Sequence, residues 1–223
     1  MKKRLFCVLI CMLMIVSVVI PVTATPVSKT ISYPISMGTI LYVGGSGPNN
    51  YTKIQDAVNN ASSGDTVFVY DDSSPYKENI TVSKSINLQG EDKYTTIIDG
   101  SHGSDHSIHI SADNVTIKNF TIENTGTGVY IGGVGGTASH NSVTDTIILN
   151  SGAGIVMYYG NPSESDFLPY GYNTISDNYI KNTTYYAIAV NQGQNNLITR
   201  NTVIETHGSD VYQCGWGIHI TCL

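Results

Sequence analysis

Two acidic residues and one arginine occupy the same place in successive copies of an internal repeat. Asp145, Asp177 and Arg200 stand in this column, after Asn119 in the first copy. A pair of carboxylates can hold Ca²⁺, and the arginine could lie over such an ion. Asp145 and Asp177 are therefore candidate metal ligands, and Asp177 and Arg200 are candidate catalytic residues. The alternative interpretation is an exposed ladder in which Arg200 neutralises Asp177.

A second set of candidates lies in the segment MYYGNPSESDFLPYGYN, at residues 157–173. Sugar-binding surfaces use flat aromatic faces for C–H groups and carboxylates for hydroxyls. The same segment offers Glu164 and Asp166 as an acid/base pair for a glycosidase. The alternatives are a loop folded over its own aromatic rings and a protein–protein patch. The predicted ligand-binding residues are Tyr130, Tyr158, Tyr159, Asp166, Tyr170 and Gln192.

Histidine and cysteine spacings suggest metal binding at two further places, since imidazole and thiolate bind copper and zinc. The two groups are His102, His106 and His109, and Cys214, His219 and Cys222. Strand alternation would point His219 away from Cys222, and histidines in a Gly/Ser-rich loop are usually solvated. An oxidising exterior would also permit a Cys214–Cys222 disulfide. No cofactor is required, and calcium and copper are the metals to consider.

The beginning of the chain has the features of an export signal. Residues 1–24 combine a basic start, an apolar run and a small-residue cleavage site, which predicts a signal peptide. The alternative is an uncleaved anchor; with cleavage, no stable membrane span is expected. Residues 25–39 would be a linker. The predicted location is extracellular, at the cell surface or in the periplasm.

Charge restricts the partners of the exported chain. The 223 residues carry a formal net charge of −6, and the predicted leader holds three of the 11 basic residues. An acidic mature chain does not favour nucleic acid or anionic membranes as partners. Six Asn-x-Ser/Thr sequons are compatible with surface glycosylation. They begin at Asn50, Asn60, Asn79, Asn114, Asn119 and Asn182.

The repeat itself consists of aliphatic residues five positions apart. The pairs are Ile117/Ile122, Val143/Ile148, Ile175/Ile180 and Ile198/Val203. Each is followed by a polar pair and a short strand such as GVYI, GIVM, AIAV or GIHI. A helix places apolar residues three or four apart and a strand places them two apart. An odd step indicates two strands joined by a tight corner, and Asn178 and Asn201 would tolerate the left-handed backbone there.

This pattern predicts an all-β, single-stranded, right-handed parallel β-helix over residues 40–223. A capping box, Thr52 to Gln55, would begin a short amphipathic helix at about residues 52–61. Its stripe of Ile54, Ala57, Val58 and Ala61 would cover the first coil. The sequence GIHITCL stops within a coil, which suggests an incomplete end.

The stretches YTKIQDAVNNASSGDTVFVY, NVTIKNFTIENTG and NTISDNYIKNTT resemble the pectin-lyase-like superfamily and its NosD-like β-helix proteins. The resemblance implies the parallel β-helix fold. It also implies the chemistry to look for: carboxylates with glutamines in esterases, and calcium ligands with a basic arginine in lyases. The esterase motifs have no counterpart here, so no catalytic residue is carried over.

The leading hypothesis is a non-catalytic module that binds polysaccharide, cell-envelope glycan or envelope protein. One alternative is a polysaccharide lyase or glycoside hydrolase that acts on a uronate-containing polysaccharide. The other is a periplasmic copper-binding protein, which the NosD-like resemblance implies.

Overall fold

The computed structural model describes residues 38–101, 105–132, 138–159, 171–191, 193–208 and 215–221. The described residues form one short helix and sixteen strands, so the predicted all-β class is confirmed. Helix α1 spans Ile54–Asn60. Within the described ranges, no helix is long and apolar enough to cross a membrane. Strands β1 to β16 are Ile40–Val43, Thr66–Val69, Ile80–Val82, Asn87–Gly90, Ile97–Asp99, His106–Ile110, Thr116–Lys118, Thr121–Glu123, Thr127–Gly132, Ser142–Thr144, Ile147–Tyr158, Thr174–Ser176, Tyr179–Asn191, Leu197–Thr199, Thr202–Thr206 and Trp216–Thr221.

A seven-stranded parallel sheet takes one strand from each of the four sequence repeats and three strands from the chain before them, in the order β1-β2-β4-β7-β10-β12-β14. Its pairing places the first aliphatic residue of each repeat directly beside its counterpart in the next. The single file predicted for Ile117, Val143, Ile175 and Ile198 is therefore confirmed. The same file continues towards the beginning of the chain through Leu88, Val67 and Leu41.

A nine-stranded parallel sheet takes the remaining strands and has two limbs. The first limb contains β5, β8, β15 and the first residues of β11 and β13. The second limb contains β3, β6, β9, β16 and the last residues of β11 and β13. β11 and β13 each contribute residues to both limbs. Each of these strands therefore bends from the first limb into the second without an intervening loop.

Residues with positive φ mark three bends in each of the four repeats that contain Ile117, Val143, Ile175 and Ile198. Between the seven-stranded sheet and the first limb they are Asn119, Asp145, Asp177 and Arg200, at 62°, 49°, 61° and 53°. Between the two limbs they are Asn124, Asn150, Asn182 and Glu205. Before the seven-stranded sheet they are Asn114, His140, Tyr172 and Asn195. The prediction that Asn178 and Asn201 occupy the left-handed corner is wrong by one residue.

Asn178 and Asn201 instead point inward and pair the backbone of neighbouring repeats. The Asn178 side chain accepts a hydrogen bond from the Thr146 N–H at 3.0 Å and donates to the Val143 carbonyl at 2.9 Å. Asn201 repeats both contacts one repeat later, with Asn178 N–H at 3.1 Å and the Ile175 carbonyl at 2.8 Å. A tight bend removes backbone groups from the strand ladder, and these amides supply their partners.

A second amide ladder stands at the bend before the seven-stranded sheet. Asn141 accepts from Val115 N–H at 2.7 Å, Asn173 from Asn141 N–H at 2.8 Å, and Asn196 from Asn173 N–H at 3.0 Å. The paired residues are 26, 32 and 23 positions apart, as the repeats themselves are. Each buried bend is therefore satisfied by the repeat that follows it.

The helix covers the beginning of the sheets, as its pattern predicts. Ile54, Ala57, Val58 and Ala61 are all buried. The predicted capping box is wrong, because Lys53 precedes the helix and its side chain makes no capping hydrogen bond. The carboxylate of Glu78 accepts the Ile54 and Gln55 N–H groups instead, at 2.9 and 3.0 Å. A residue distant in sequence therefore does what a local cap normally does.

The inward-facing residues of β16 differ from those of earlier repeats. Ile218 and Ile220 are 51% and 60% exposed. Their counterparts on β13, Ile188 and Val190, are 0% and 4% exposed. In the described residues, the apolar file of the second limb therefore ends at a solvent-facing strand.

Replacing Ile175 with Asp tests the inward file. Ile175 is 0% exposed, so the variant would bury an unpaired charge, and we expect a loss of about 3–5 kcal/mol in the free energy of unfolding. Chemical denaturation followed by circular dichroism measures it. Thr174→Asp, on the outward side of the same strand, is the matched control and should change stability by less than about 1 kcal/mol. Equal losses in both variants would contradict the inward assignment.

Candidate ligand-binding face

The outer side of the second limb carries an unusual number of rings. Strand pairing places His109, Tyr130, Val156, Ala189 and His219 in one outward column, as the sequence predicts. Three positions earlier in each strand, a parallel column contains His106, Thr127, Ala153, Tyr186 and Trp216. We define the aromatic face as His106, His109, Tyr130, Tyr158, Tyr186, Trp216 and His219.

The first cluster on this face joins two neighbouring repeats. The rings of His106 and Tyr130 stack with centroids 4.3 Å apart and planes 6° from parallel. His109 meets the same tyrosine edge-on, at 5.3 Å and 67°. The Nε2 atom of His109 lies 2.8 Å from the Gly132 carbonyl oxygen, so this nitrogen donates the hydrogen bond. His106 therefore covers one face of Tyr130, and the contacts with both imidazoles restrict the orientation of its ring.

The charge states of this cluster follow from its partial burial. Burial lowers the pKa of His106 below its ordinary value, and the neighbouring His109 lowers it further. Burial also raises the pKa of Tyr130, with a smaller contribution from Tyr158. Both rings of the stack are uncharged near pH 7. An uncharged stack presents an apolar surface with polar edges.

The second cluster lies on β13 and β16. His219 lies 5.1 Å from Tyr186 and 5.1 Å from Trp216, measured between ring centroids. Trp216 is 48% exposed. Val156 and Ala189, the latter 1% exposed, stand between the two clusters in the outward column, so short side chains separate the two groups of rings.

Tyr158 and Tyr159 are neighbours in sequence but lie on opposite sides of the sheet. Tyr158 is 40% exposed and stands beside Gly132 and Asn191 on the outer side. Tyr159 is 5% exposed, belongs to the core and is hydrogen-bonded to Asn173. Burial raises the pKa of Tyr159 above its ordinary value. Its prediction as a ligand-binding residue is therefore corrected: Tyr159 packs inside because strand alternation turns every second side chain inward.

Several predicted residues lie outside the described residues, and their roles stay predictions. They are the candidates of the 160–170 segment, the signal peptide, and single residues elsewhere. The residues concerned are Glu164, Asp166, Tyr170, Gln192, His102, Cys214 and Cys222.

The predicted calcium and catalytic column lies at the bend between the seven-stranded sheet and the first limb, whereas the aromatic face lies on the second limb. Arg200 donates two hydrogen bonds to Asp177, from Nε to Oδ1 and from Nη2 to Oδ2, both at 2.7 Å. These bonds lower the pKa of the Asp177 carboxyl. The Asp145 carboxylate lies 3.8 Å from the Lys93 ammonium group. Both carboxylates are paired with cations, which is the ion-pair alternative; the calcium site and the catalytic role stay predictions that these contacts do not support.

Comparison with known proteins identifies the family. A family profile described as "Periplasmic copper-binding protein (NosD)" matches residues 58–221. The chain belongs to the NosD family. It is also 31% identical over 166 residues to a protein named "Cell surface glycoprotein" from Methanothermus fervidus. That match covers 74% of this chain but 27% of the relative, so the chain spans about a quarter of that protein's length. No solved structure matches the chain.

The description of the NosD family names copper, and a copper site requires several nitrogen or sulfur ligands close together. Among the described residues, no group of three or more His, Cys, Asp or Glu is placed to hold a metal ion. The rings of His106 and His109 lie 6.0 Å apart, and His109 Nε2 is directed at Gly132. The residues that the structure describes therefore do not fit a copper centre.

A second aromatic surface of this NosD protein was not predicted from sequence. Tyr42, Phe68 and Tyr70 contact one another on the outer side of the seven-stranded sheet, with centroids 5.2–6.1 Å apart. Tyr42 and Tyr70 border an open depression of about 610 Å³, lined also by residues 45–48, Asn50 and Asp72. The signal was present in TVFVY, where alternation turns Phe68 and Tyr70 outward. Tyr186 and Trp216 were not predicted either, because they precede Ala189 and His219 by three positions, and strict strand alternation assigns an odd step to the opposite side.

The lowered pKa of His106 predicts a pH dependence of stability. The unfolded chain takes up the proton at a higher pH than the native chain, so His106 destabilises the native state as the pH falls through about 6.5. We expect the wild type to lose stability relative to His106→Gln between pH 7.5 and 5.5, measured by urea unfolding at each pH. His207→Gln, at an exposed histidine, is the control and should follow the wild type. Parallel curves for wild type and His106→Gln would contradict the prediction.

Proposed function

We propose that this NosD-family chain is an exported, cell-surface parallel β-helix module that binds glycan through its aromatic face. The observation that carries the proposal is the fixed stack of His106, Tyr130 and His109, continued by exposed Tyr158. The proposal has three parts, which concern the scaffold, the location and the ligand. Each has separate support.

Support for the β-helix comes from the regularity of the pairing. Every strand pair in both sheets is parallel, and equivalent residues of successive repeats are neighbours. Three left-handed bends recur in each repeat. Parallel strands connected in this way wind right-handed in nearly all proteins. A single-stranded, right-handed coil is the arrangement we infer.

Support for export comes from the predicted leader at residues 1–24 and from the relative's printed name, "Cell surface glycoprotein". The acidic composition agrees with a chain that stays in solution near an envelope surface. The chain's location at the cell surface follows as part of the proposal.

Support for a glycan ligand comes from the chemistry of the face. A pyranose ring packs its C–H groups on aromatic side chains, and its hydroxyls need hydrogen-bond partners at the ring edges. Tyr130 and Tyr158 supply ring faces with phenol groups, and Asn191 adjoins Tyr158 with an amide. The rings at both ends and the short side chains between them form an elongated surface that suits several sugar units.

The same face favours binding over cleavage. Glycoside hydrolysis uses two carboxyl groups on either side of the scissile bond. None of the seven residues that define the aromatic face is acidic. Asp177 and Arg200 lie at a different bend and are bonded to each other. The described residues of the aromatic face therefore supply no pair of carboxyl groups of this kind, and binding is the function we propose.

Removing a ring tests the proposal directly. Tyr130→Ala and Tyr158→Ala should each weaken binding to the best ligand of a glycan array by about tenfold or more, because each removes a stacking face. The array includes neutral and uronate-containing polysaccharides, and affinity is measured by isothermal titration calorimetry. Tyr94→Ala is the matched control, since Tyr94 is exposed in the turn before β5, a strand of the first limb. The affinity of this variant should equal that of the wild type.

Three results would overturn the proposal. Unchanged affinity in both variants would place the ligand elsewhere. Release of unsaturated products or new reducing ends from a uronate polysaccharide would assign a lyase or hydrolase. Binding to isolated envelope proteins, with no binding to any glycan, would assign a protein partner to this surface.

A further inference from the structure

The six sequons of the chain differ in the exposure and the hydrogen bonds of their asparagine side chains. In two of them the side-chain amide nitrogen supports the backbone. Asn50 Nδ2 donates to the Gly44 carbonyl at 2.6 Å, and Asn79 Nδ2 donates to the His106 carbonyl at 2.7 Å. A sugar would replace one of the two hydrogens on either nitrogen, and it would have to fit beside a carbonyl held at hydrogen-bond distance in a partly buried, packed site, where added bulk is costly.

Two further sequons are obstructed in other ways. Asn182 is exposed, but its Nδ2 donates to Asn150 Oδ1 at 2.8 Å in the ladder between the two limbs. Asn119 depends on Thr121 as the third residue of its sequon. The Thr121 side chain is buried, and its hydroxyl donates to the Lys93 carbonyl at 2.6 Å. In the folded chain, neither sequon presents both of its functional groups to a modifying enzyme.

Asn114 differs from all of these. It is exposed and stands at a left-handed bend with φ 57°, where its backbone N–H bonds the Ser139 carbonyl at 3.1 Å. Among the described residues, its side-chain amide has no hydrogen-bond partner. Thr116, the third residue of the sequon, is only partly covered on the outer side of the seven-stranded sheet. The bend therefore projects the amide outward while the backbone stays anchored.

We propose that Asn114 is an N-glycosylation site of this protein. The donor is an oligosaccharide linked to a polyprenyl phosphate, and a membrane oligosaccharyltransferase catalyses the transfer. Asn114 Nδ2 forms a bond to the anomeric carbon while the bond from that carbon to the phosphate oxygen breaks. The amide loses one proton to the enzyme, and the polyprenyl phosphate leaves. No oxidation or reduction takes place.

Asn60 is the sequon most similar to Asn114. It is exposed at the end of α1, its Nδ2 bonds only the Asp56 carbonyl of its own helix, at 2.8 Å, and Ser62 is exposed. A sugar there would be attached to a nitrogen that is already held against the helix backbone. Among the described residues, no such contact holds Asn114 Nδ2, and we therefore assign the principal glycan to Asn114.

The test uses the full chain, produced in a host that glycosylates exported proteins and recovered from the exported fraction. The inference depends on the export proposed above, and this recovery separates a failure of glycosylation from a failure of export. Intact-mass measurement and peptide mapping by mass spectrometry locate the glycan. We expect a glycan on Asn114 and none on Asn79.

Matched variants sharpen the result. Asn114→Gln and Thr116→Val should each lose the mass of one glycan, whereas Thr116→Ser and Asn79→Gln should keep it. Equal thermal midpoints for Asn114→Gln and the enzymatically deglycosylated wild type would show that the loss is not caused by misfolding. An unmodified Asn114 in the exported chain, a glycan on Asn79, or retention of the glycan in Thr116→Val would each overturn the proposal.

Discussion

The fold depends on satisfying the backbone at bends that lie between buried strands. A chain that turns three times in each repeat loses ladder hydrogen bonds at every turn, and buried N–H and C=O groups without partners are costly. Left-handed residues such as Asp177 make the turn itself. The amides of Asn178 and Asn201 then bond the backbone of the adjacent repeat. With those bonds made, the aliphatic residues can stack in files.

The structural roles of the inward positions and of the bends restrict where functional side chains can lie. Inward positions are taken by apolar side chains and bends by residues that tolerate positive φ, so chemical variety is left to the outward positions and the loops. The aromatic face uses that freedom on the second limb, and Tyr42, Phe68 and Tyr70 use it on the seven-stranded sheet. Because the strands fix each Cβ, the stack of His106 on Tyr130 is preorganised, which would lower the entropy cost of the binding proposed above.

The sequence predicted those features for which physical constraints allow a single arrangement of the backbone. The file from Ile117 to Ile198 was predicted because a five-residue step between buried side chains allows few backbone paths. The corner was misplaced by one residue because asparagine suits both a left-handed backbone and a bridging amide, and composition does not separate these roles. The contact of Glu78 with α1 joins residues 24 positions apart. Such contacts, like the His106–Tyr130 stack, depend on the register between neighbouring strands. The residue pattern of one strand does not determine that register.

The bend column from Asn119 to Arg200 shows how a structural position can imitate a functional one. The fold requires only positive φ there, a conformation that asparagine and aspartate adopt readily and arginine adopts rarely. Two aspartates and an arginine in register therefore do not need a shared ligand to explain them. The bidentate pair of Arg200 with Asp177 offsets part of the strain of a left-handed arginine by placing its guanidinium on a carboxylate of the preceding repeat. The pair adds a side-chain link where backbone pairing stops, so its chemistry is that of the scaffold.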